Sequence, residues 1–559
     1  MRRSRFRYPL AAFGAAATAV AVALMFPGSS PRAATTGGAT AAAARAGDRV
    51  RTADGWVRGV SAAGYSEYDG IPYAAPPVGA LRWAPPQPVA PWPGVLDATH
   101  FGNRCVQGTG WDPGYSTPKL TEDCLYLNVY APATAQKNLP VLVWIHGGGF
   151  TGGAGQDTDP RQYVQKNDAV VVTINYRLGI LGYLNLPQLP ADGRGNFGLL
   201  DQQAALRWVN ENIAAFGGDP HNITIAGQSA GGSSVCDQLA SPTAKGLFEK
   251  AVIMSGSCGM ATAAQGQATS QQVVAALGCA KAPDVLACLR AVPPSKIVAV
   301  QATGLSPRPS IGGAAFPIDP GQAIAVGKFN RVPVINGSVH DERRLFVFQD
   351  YDYVGRPLTA GEYVNLVNSA YGKSAAQVLA KYPVASYPSP DIAWATVQTD
   401  SLDQARKVTD DELSKWTPTY AYEFDVENTP QFTSIFRLQQ TNAAAKAFPF
   451  GATHVDDLAY LWQYLGQTVP LTDAELALSD QMIAYWGNFQ RTGNPNGYGH
   501  SRNSALPVWD SYNAGSPQWL EERACDADPA GNGIPAACSV SGNGFLTDHN
   551  VAFWTSVLG

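Results

Sequence analysis

The stretch Asn222-Ile-Thr-Ile-Ala-Gly-Gln-Ser-Ala-Gly-Gly232 decides the fold of this 559-residue chain. Its first five residues are rich in β-branched side chains, as in a buried strand, and Ala230–Leu239 is predicted to be a helix. Between them lies Gly227-Gln228-Ser229-Ala230-Gly231, a G-x-S-x-G sequence. A strand before this motif and a helix after it place the serine in a sharp turn at the carboxyl edge of a sheet. We therefore expect Ser229 to be a nucleophile, rather than the N-cap of an ordinary glycine-rich turn.

Strand-like and helix-like segments alternate on both sides of this motif. Further predicted strands are Val141–Ile145, Ala169–Ile174, Lys250–Met254 and Val332–Ile335, and Leu199–Ala215 has the pattern of a helix. Such alternation predicts an α/β fold with a mostly parallel central sheet and helices on both faces. Residues before 140 predict an antiparallel N-terminal extension of the sheet. Residues 355–440 show helical stretches without a strong strand, and residues 495–545 have the composition of loops.

The beginning of the chain has the pattern of a secretory signal peptide, which we assign to residues 1–34. A basic segment precedes the apolar run Leu10–Phe26, and it contains Arg2, Arg3, Arg5 and Arg7. The run is too short and too rich in alanine to favour a permanent membrane anchor. We expect cleavage between residues 33 and 47, a disordered lead-in at 35–47 and one domain over 48–559. The Arg2-Arg3 pair leaves twin-arginine export as an alternative to ordinary export.

Charge and cysteine content narrow the possible partners and the compartment. Removal of residues 1–34 takes away five arginines and no acidic residue, so the formal charge changes from −5 to −10. An acidic chain without a basic patch argues against nucleic-acid binding. We expect a secreted monomer that acts on a small molecule. An even number of cysteines behind a signal peptide predicts disulfides, and the eight fall into four sequence-local pairs: Cys105, Cys124, Cys236, Cys258, Cys279, Cys288, Cys525 and Cys538.

A second glycine-rich motif, His146-Gly-Gly-Gly-Phe150, follows the predicted strand at 141–145. Glycines leave backbone N–H groups uncovered, so these donors can stabilise an oxygen that becomes negatively charged. We assign this oxyanion hole to Gly148 and Gly149, together with the N–H group of Ala230. A phosphate-binding loop is the alternative, but no G-x-x-x-x-G-K-[ST] pattern is present.

The order serine, acid, histidine limits the remaining catalytic candidates. Of the histidines well beyond Ser229, His500 lies in a polar glycine-rich loop and His549 is ten residues from the end. His454 lies in a loop that leads into an apolar helical run, which can both place and brace an imidazole, so we predict it as the base. The acid is expected in the loop after the strand at 332–335, where the residues leave Asp341 and Glu342 open.

These motifs resemble those of the type-B carboxylesterase family, which includes cholinesterases and bacterial para-nitrobenzyl-type esterases. The resemblance runs from about residue 50 to 558 and rests on four further segments: Asp69–Gly79 with Leu81-Arg82-Trp83, Glu122–Asn128, Asn175–Gly179 and Phe216–Pro220. It implies an α/β-hydrolase fold and a secreted carboxylic ester hydrolase that needs no metal or other cofactor. The alternatives are a lipase, an amide or peptide acyl hydrolase, and a non-catalytic binding protein on the same fold.

The resemblance also assigns residues that the local patterns leave open. It selects Glu342 over Asp341 as the third member of a Ser229, His454 and Glu342 triad. It pairs Cys105 with Cys124 and Cys279 with Cys288, and elimination leaves Cys236–Cys258 and Cys525–Cys538. It implies an Arg82–Glu122 ion pair, and it places Gln228, Ser255 and Asp457 around the triad.

Two positions depart from the family pattern and bear on the substrate. Gln228 stands where the family usually has glutamate, and Arg343 stands where it often has glycine. A neutral Gln228 weakens the case for cationic esters and for Trp111 as a cation-stacking residue. Aromatic residues beside the motifs are expected to line a site for neutral short-chain esters: Trp144, Phe150, Phe448 and Phe450.

Overall fold

The computed structural model describes residues 49–108, 120–134, 136–427, 429, 443–464, 466, 469–497, 506–525, 536–537 and 539–558. The predicted signal peptide and lead-in, Trp111, His500 and Cys538 lie outside these residues. In the part of the chain that the structure describes, no helix combines the length and apolarity needed to cross a membrane.

An 11-stranded sheet forms the centre of the fold. In chain order its strands are β1 (Val60–Ala62), β2 (Tyr65–Pro72), β3 (Tyr126–Pro132), β4 (Leu139–Ile145), β5 (Val170–Ile174), β6 (Gly218–Gln228), β7 (Lys250–Met254), β8 (Val334–Val339), β9 (Thr419–Phe424), β10 (Trp519–Glu522) and β11 (Val540–Gly542). They lie side by side in the order β11-β10-β9-β8-β7-β6-β4-β5-β3-β2-β1.

The strand directions confirm the predicted architecture. All pairs from β10 through β9, β8, β7, β6 and β4 to β5 are parallel. Strands β3, β2 and β1 continue the sheet in antiparallel fashion, as the residues before 140 predict. At the opposite edge β11 is also antiparallel, to β10. The chain has the α/β-hydrolase fold.

Helices cover both faces of the sheet. Successive residues of a strand point to opposite sides, so each strand contributes side chains to both of the apolar cores that lie under the helices. In β4, Val143 and Ile145 belong to one large apolar core, whereas Leu142 and Trp144 belong to a second one. The helices are Arg161–Asn167, Gly179–Tyr183, Phe197–Asn212, Ala230–Ala240, Ala263–Ala276, Val285–Ala291, Pro294–Gln301, Pro320–Ala325, Arg344–Val347, Ala360–Tyr371, Ala375–Lys381, Pro390–Ser414, Ala443–Ala447, Leu458–Leu461, Asp473–Thr492, Gly544–Asp548 and Val551–Leu558.

Two regions contain sheet strands that the sequence patterns did not predict. The predicted helical insertion at 355–440 includes β9, and the loop-like tail at 495–545 contributes β10 and β11. The helices Ala360–Tyr371, Ala375–Lys381 and Pro390–Ser414 confirm the predicted helical stretches, whereas the lack of a strand in 355–440 and the loop interpretation of 495–545 were wrong. Glu423 of β9 and Glu522 of β10 are buried carboxylates within their strands, so neither segment shows the uniformly apolar run of a central parallel strand.

Three of the four predicted disulfides join described residues: Cys105–Cys124, Cys236–Cys258 and Cys279–Cys288. The second fastens the helix Ala230–Ala240, which follows Ser229, to the loop after β7. The Cys525–Cys538 pair remains a prediction, because Cys538 lies outside the described residues.

Removal of the Cys236–Cys258 bond should destabilise the fold, because the unfolded chain gains conformational entropy when it is no longer cross-linked. The bond closes a loop of 22 residues, for which the chain-entropy estimate is about 3 kcal/mol. We expect a Cys236→Ser/Cys258→Ser variant to lose roughly that free energy of unfolding in urea titrations. Mass mapping of the unreduced wild-type protein is the control, and alkylation of Cys236 without reductant would contradict the bond.

Candidate active site

The turn between β6 and the helix Ala230–Ala240 has the strained geometry of a nucleophile elbow. Ser229 has φ 58° and ψ −123°, a conformation that side-chain-bearing residues rarely adopt. Its N–H group donates to the carbonyl of Met254 in β7, at 2.8 Å. Small neighbours are required, since a Cβ at Gly231 would lie 2.0 Å from the carbonyl oxygen of Ile145. The half-buried serine is therefore fixed at the carboxyl end of the central strands.

The loop that carries the predicted oxyanion donors lies directly on this elbow. A Cβ at Gly147 would stand 2.8 Å from the Gln228 carbonyl oxygen and 3.1 Å from Ser229 Cβ. Gly148 and Gly149 follow, both with positive φ. The Tyr176 hydroxyl braces the loop by donating to the His146 carbonyl at 2.8 Å. The structure thus brings Gly148 and Gly149 into the neighbourhood of Ser229 and Ala230.

Glu342 and His454 form a buried pair beside the elbow. His454 Nδ1 hydrogen-bonds Glu342 Oε1, and the hydroxyl of Ser255 donates to Glu342 Oε2 at 2.9 Å. Glu342 is 2% exposed and His454 is 5% exposed. Ser255 follows β7 and Glu342 follows β8, so neighbouring parallel strands deliver both residues to one edge.

Asp341, the alternative acid, has a different partner set. Its backbone N–H group donates to the Ala452 carbonyl at 2.8 Å, and its carboxylate accepts from the Ala452 N–H group at 3.2 Å. Arg344 pairs with the same carboxylate at 2.7 Å. Asp341 therefore ties the loop after β8 to the loop that carries His454, while Glu342 contacts the imidazole itself.

The other nitrogen of His454 faces Gln228. The side-chain amide nitrogen of Gln228 lies 3.2 Å from His454 Nε2. Donation by this amide requires a free lone pair on Nε2, which leaves the proton on Nδ1, where the Glu342 carboxylate accepts it. Among the described residues, no hydrogen bond joins the Ser229 hydroxyl to His454.

The environment of Glu342 keeps its carboxylate ionised. Burial by itself raises the pKa of this group, but the electrostatic effects of His454 and Arg406 and the hydrogen bonds from His454 and Ser255 lower the pKa to about 2. An ionised Glu342 can accept a hydrogen bond from the Nδ1–H group and stabilise a protonated imidazole across the neutral pH range.

Asp457 lies three residues beyond His454 and is completely buried. The hydroxyl of Tyr422 donates to Asp457 Oδ2 at 3.1 Å. Burial raises the pKa of Asp457 to about 7; the hydrogen bond from Tyr422 and the charge of His454 oppose this rise, and Glu342 adds to it. Asp457 is thus a group near the pair whose charge changes around neutral pH.

The aromatic surroundings differ in part from the prediction. Phe150 is buried behind the oxyanion loop, where it packs edge-on against Tyr183 at 5.3 Å. Trp144, however, points away from the site and packs against Trp462 in the second core, because it occupies the opposite face of β4.

Phe448 and Phe450 pack on Phe348 rather than on His454. The aromatic ring in contact with the imidazole is Phe346, with centroids 4.8 Å apart. The sequence offered no local motif for Phe346, although it stands only four residues after Glu342.

Within the described residues, one group of three side chains has metal-ligand chemistry: His340, Glu423 and His549. It lies apart from the Ser229 elbow. Both ring nitrogens of His549 face carboxylates, with Nε2 2.5 Å from Glu423 and Nδ1 3.1 Å from Asp400. This arrangement suits an imidazolium cation rather than a metal ligand, which needs a free ring nitrogen.

Comparison with known proteins gives the same assignment over most of the chain. The carboxylesterase family profile matches residues 46–529. A para-nitrobenzyl esterase from Bacillus subtilis is 35% identical over 477 residues, which cover 80% of this chain and 90% of that protein. A cocaine esterase from Oryctolagus cuniculus is 35% identical and covers 78% of this chain and 85% of its own length.

Solved structures agree with the sequence relatives. A thermophilic PNB esterase has a TM-score of 0.71 and 31% identity, with 85% of this chain and 95% of that chain covered. Another PNB esterase structure has a TM-score of 0.70 and 32% identity, with the same coverage. The chain therefore belongs to the carboxylesterase family and is a carboxylic ester hydrolase of the serine type.

Proposed function

We propose that the mature chain, a single domain over residues 48–559, is a secreted monomeric esterase for neutral short-chain esters, with Ser229, His454 and Glu342 as its triad. The observation that carries the proposal is the buried Glu342–His454 pair beside the strained Ser229 elbow. Disulfides within the described chain support an oxidising compartment.

In the proposed reaction, Ser229 attacks the ester carbonyl and His454 Nε2 accepts its proton. The other proton stays on Nδ1 and is donated in a hydrogen bond to Glu342, whose negative charge stabilises the imidazolium. His454 then protonates the leaving alcohol, and a water molecule activated by the same imidazole releases the acid. For the first step the Ser229 hydroxyl must replace the Gln228 amide at Nε2, a change that substrate binding favours by bringing the carbonyl to the serine.

Backbone N–H groups of Gly148, Gly149 and Ala230 are proposed to hold the oxyanion. Each such donor is worth roughly 10²–10³ in rate, because it is already oriented when the charge develops. The scheme uses no metal or organic cofactor, since side chains and backbone handle every proton and charge.

The substrate class follows from the charges and rings around the imidazole. Gln228 provides no negative charge, and the Arg343 guanidinium lies 4.4 Å above the Phe346 ring, which itself contacts His454. A cationic ester gains no attraction there. Phe150 packs against Tyr183 and Phe346 packs against His454, and these fixed rings favour small acyl and alcohol groups.

Replacement of the nucleophile is the direct test of the mechanism. We expect Ser229→Ala to lower kcat for p-nitrophenyl butyrate by roughly 10⁴–10⁶, with a wild-type Tm, because the methyl group fits the same turn. EDTA should leave the wild-type rate unchanged. A Ser229→Ala variant that keeps its rate, or chelator-sensitive activity in pure protein, would overturn the scheme.

Two esters of the same acid test the charge argument. We expect p-nitrophenyl butyrate to exceed butyrylcholine in kcat/KM, because the neutral Gln228 and the cationic Arg343 give a positively charged alcohol no partner. Ethyl butyrate controls for the reactive nitrophenol leaving group. Higher kcat/KM for butyrylcholine than for ethyl butyrate would contradict the assignment of neutral substrates.

The pH dependence tests the proposed role of Asp457 beside the triad. Its pKa of about 7 means that it becomes negative around neutral pH, and a negative charge beside an imidazole favours the protonated ring. Asp457→Asn should therefore move the acid limb of kcat/KM to lower pH. Asp456→Asn is the neighbouring control. An unchanged limb and kcat in Asp457→Asn would exclude this role.

A further inference from the structure

Behind the triad lies a group of buried charges that the sequence motifs do not include. Arg406 belongs to the helix Pro390–Ser414, and its side chain is 11% exposed. Its Nη2 atom lies 3.4 Å from Glu342 Oε2, the carboxylate oxygen that does not bind His454. The same guanidinium forms an ion pair with Asp403, one helical turn earlier. Arg406 thus connects the catalytic pair with the helix.

Asp403 is held in turn by the end of the chain. His549 lies between the helices Gly544–Asp548 and Val551–Leu558, and its Nδ1 atom is 3.2 Å from Asp403 Oδ2 and 3.1 Å from Asp400 Oδ1. Its Nε2 atom contacts Glu423 of β9. Since both ring nitrogens face carboxylates, the buried ring is a cation at neutral pH.

The buried carboxylates in this region are compensated by the buried cations beside them. Asp403 is fully buried, and burial raises its pKa, while the positive charges of His549 and Arg406 oppose that rise. Glu342 is 2% exposed and relies on His454 and Arg406 for its opposing charge. If Arg406 were neutral, two buried carboxylates would each lose a cation within 4 Å.

We infer that Arg406 is a positioning residue of the triad, which holds the Glu342 carboxylate against His454 and is itself fixed by Asp403 and, through it, by His549 of the C-terminal segment. The inference rests on the proposed function, in which Glu342 orients the catalytic imidazole. It makes His549, between the two C-terminal helices, part of the support of the active site. We call this set the ion-pair support; its members are Glu342, Arg406, Asp403 and His549.

An ion pair that served stability alone would behave differently. Loss of such a pair lowers the free energy of unfolding but leaves the rate per folded molecule and its pH dependence unchanged. Loss of a positioning cation changes both, because Glu342 and the His454 imidazolium hold their protons more tightly once the neighbouring positive charge is gone. Arg343 and Asp457 also interact electrostatically with Glu342, and the neighbouring Asp341 is paired with Arg344; these groups remain in the variants below.

The test measures kcat, KM and the pH profile for p-nitrophenyl butyrate in Arg406→Met, Arg406→Lys and the control Lys407→Met. Lys407 is the next residue of the same helix and pairs with Asp411 at 2.6 Å, with no contact to the triad. We expect Arg406→Met to lower kcat about 10- to 100-fold, as for other partners that orient a catalytic group, with KM within about threefold. Its acid limb should move up by about half to one pH unit.

The conservative variant and the control complete the comparison. Arg406→Lys should return the acid limb to its wild-type pH and recover part of kcat. Lysine restores the positive charge, but it lacks the planar guanidinium that contacts Glu342 and Asp403 through separate nitrogens. Lys407→Met should match the wild type. A folded Arg406→Met protein with wild-type kcat and pH profile would overturn the inference. Ser229→Ala, measured alongside, separates this outcome from failure of the proposed function, which would appear as retained activity in that variant.

A second variant covers the case in which Arg406→Met does not fold. Arg406→Met/Asp403→Asn removes the cation and its nearest carboxylate together, so Glu342 lacks its former partner while His549 keeps Asp400 and Glu423 as counter-charges. The same fall in kcat and the same shift of the acid limb are expected. Wild-type values in this double variant would exclude Arg406 as a positioning residue.

His549→Gln tests the C-terminal part of the ion-pair support. We expect a lower Tm together with a smaller fall in kcat, measured well below the new Tm and with KM unchanged, because Asp403 then loses one of its two cations. His549→Lys should recover part of both. A lower Tm with wild-type kcat in His549→Gln would restrict His549 to folding and remove it from the support.

Discussion

An ionised carboxylate in the interior of the protein is the constraint on which the active site depends. Glu342 is almost inaccessible to water, yet its position opposite His454 Nδ1 requires a negative charge. An unpaired buried charge is very costly. Three neighbours remove this cost: Ser255 donates a hydrogen bond, His454 shares a proton, and Arg406 supplies a positive charge.

The strand order explains how these neighbours meet. Strands β6, β7 and β8 are adjacent and parallel, so their carboxyl ends lie at one edge and deliver Ser229, Ser255 and Glu342 in that order. The oxyanion loop comes from β4, on the other side of β6. His454 arrives from outside the sheet and is braced by Asp341, which fastens its loop to the end of β8.

Local patterns were sufficient for the elements that present the site, and insufficient for those that support it. The strand–glycine–serine–helix sequence around Ser229 predicts its own geometry, because the turn is short and its steric demands are strict. Asp341 and Glu342 could not be separated by position, and only the family resemblance favoured Glu342. Arg406, Asp403 and His549 belong to segments with no motif, and their meeting depends on how the helix Pro390–Ser414 packs against β9 and the C-terminal helices. The buried carboxylate Glu423 obscured β9 for a related reason, since its partner His549 is distant in sequence.

Gln228 adds a further consequence to its neutral charge. A neutral imidazole has one lone pair, and on His454 this lone pair lies at Nε2, where the Gln228 amide donates. A carboxylate at position 228 would instead attract a proton to Nε2 and favour the imidazolium, which cannot accept a proton from serine. The amide therefore favours an imidazole with a free lone pair at Nε2, but it also occupies the position that the proposed nucleophile must take. For the proposed reaction the Gln228 amide must therefore leave Nε2 before the Ser229 hydroxyl can donate there.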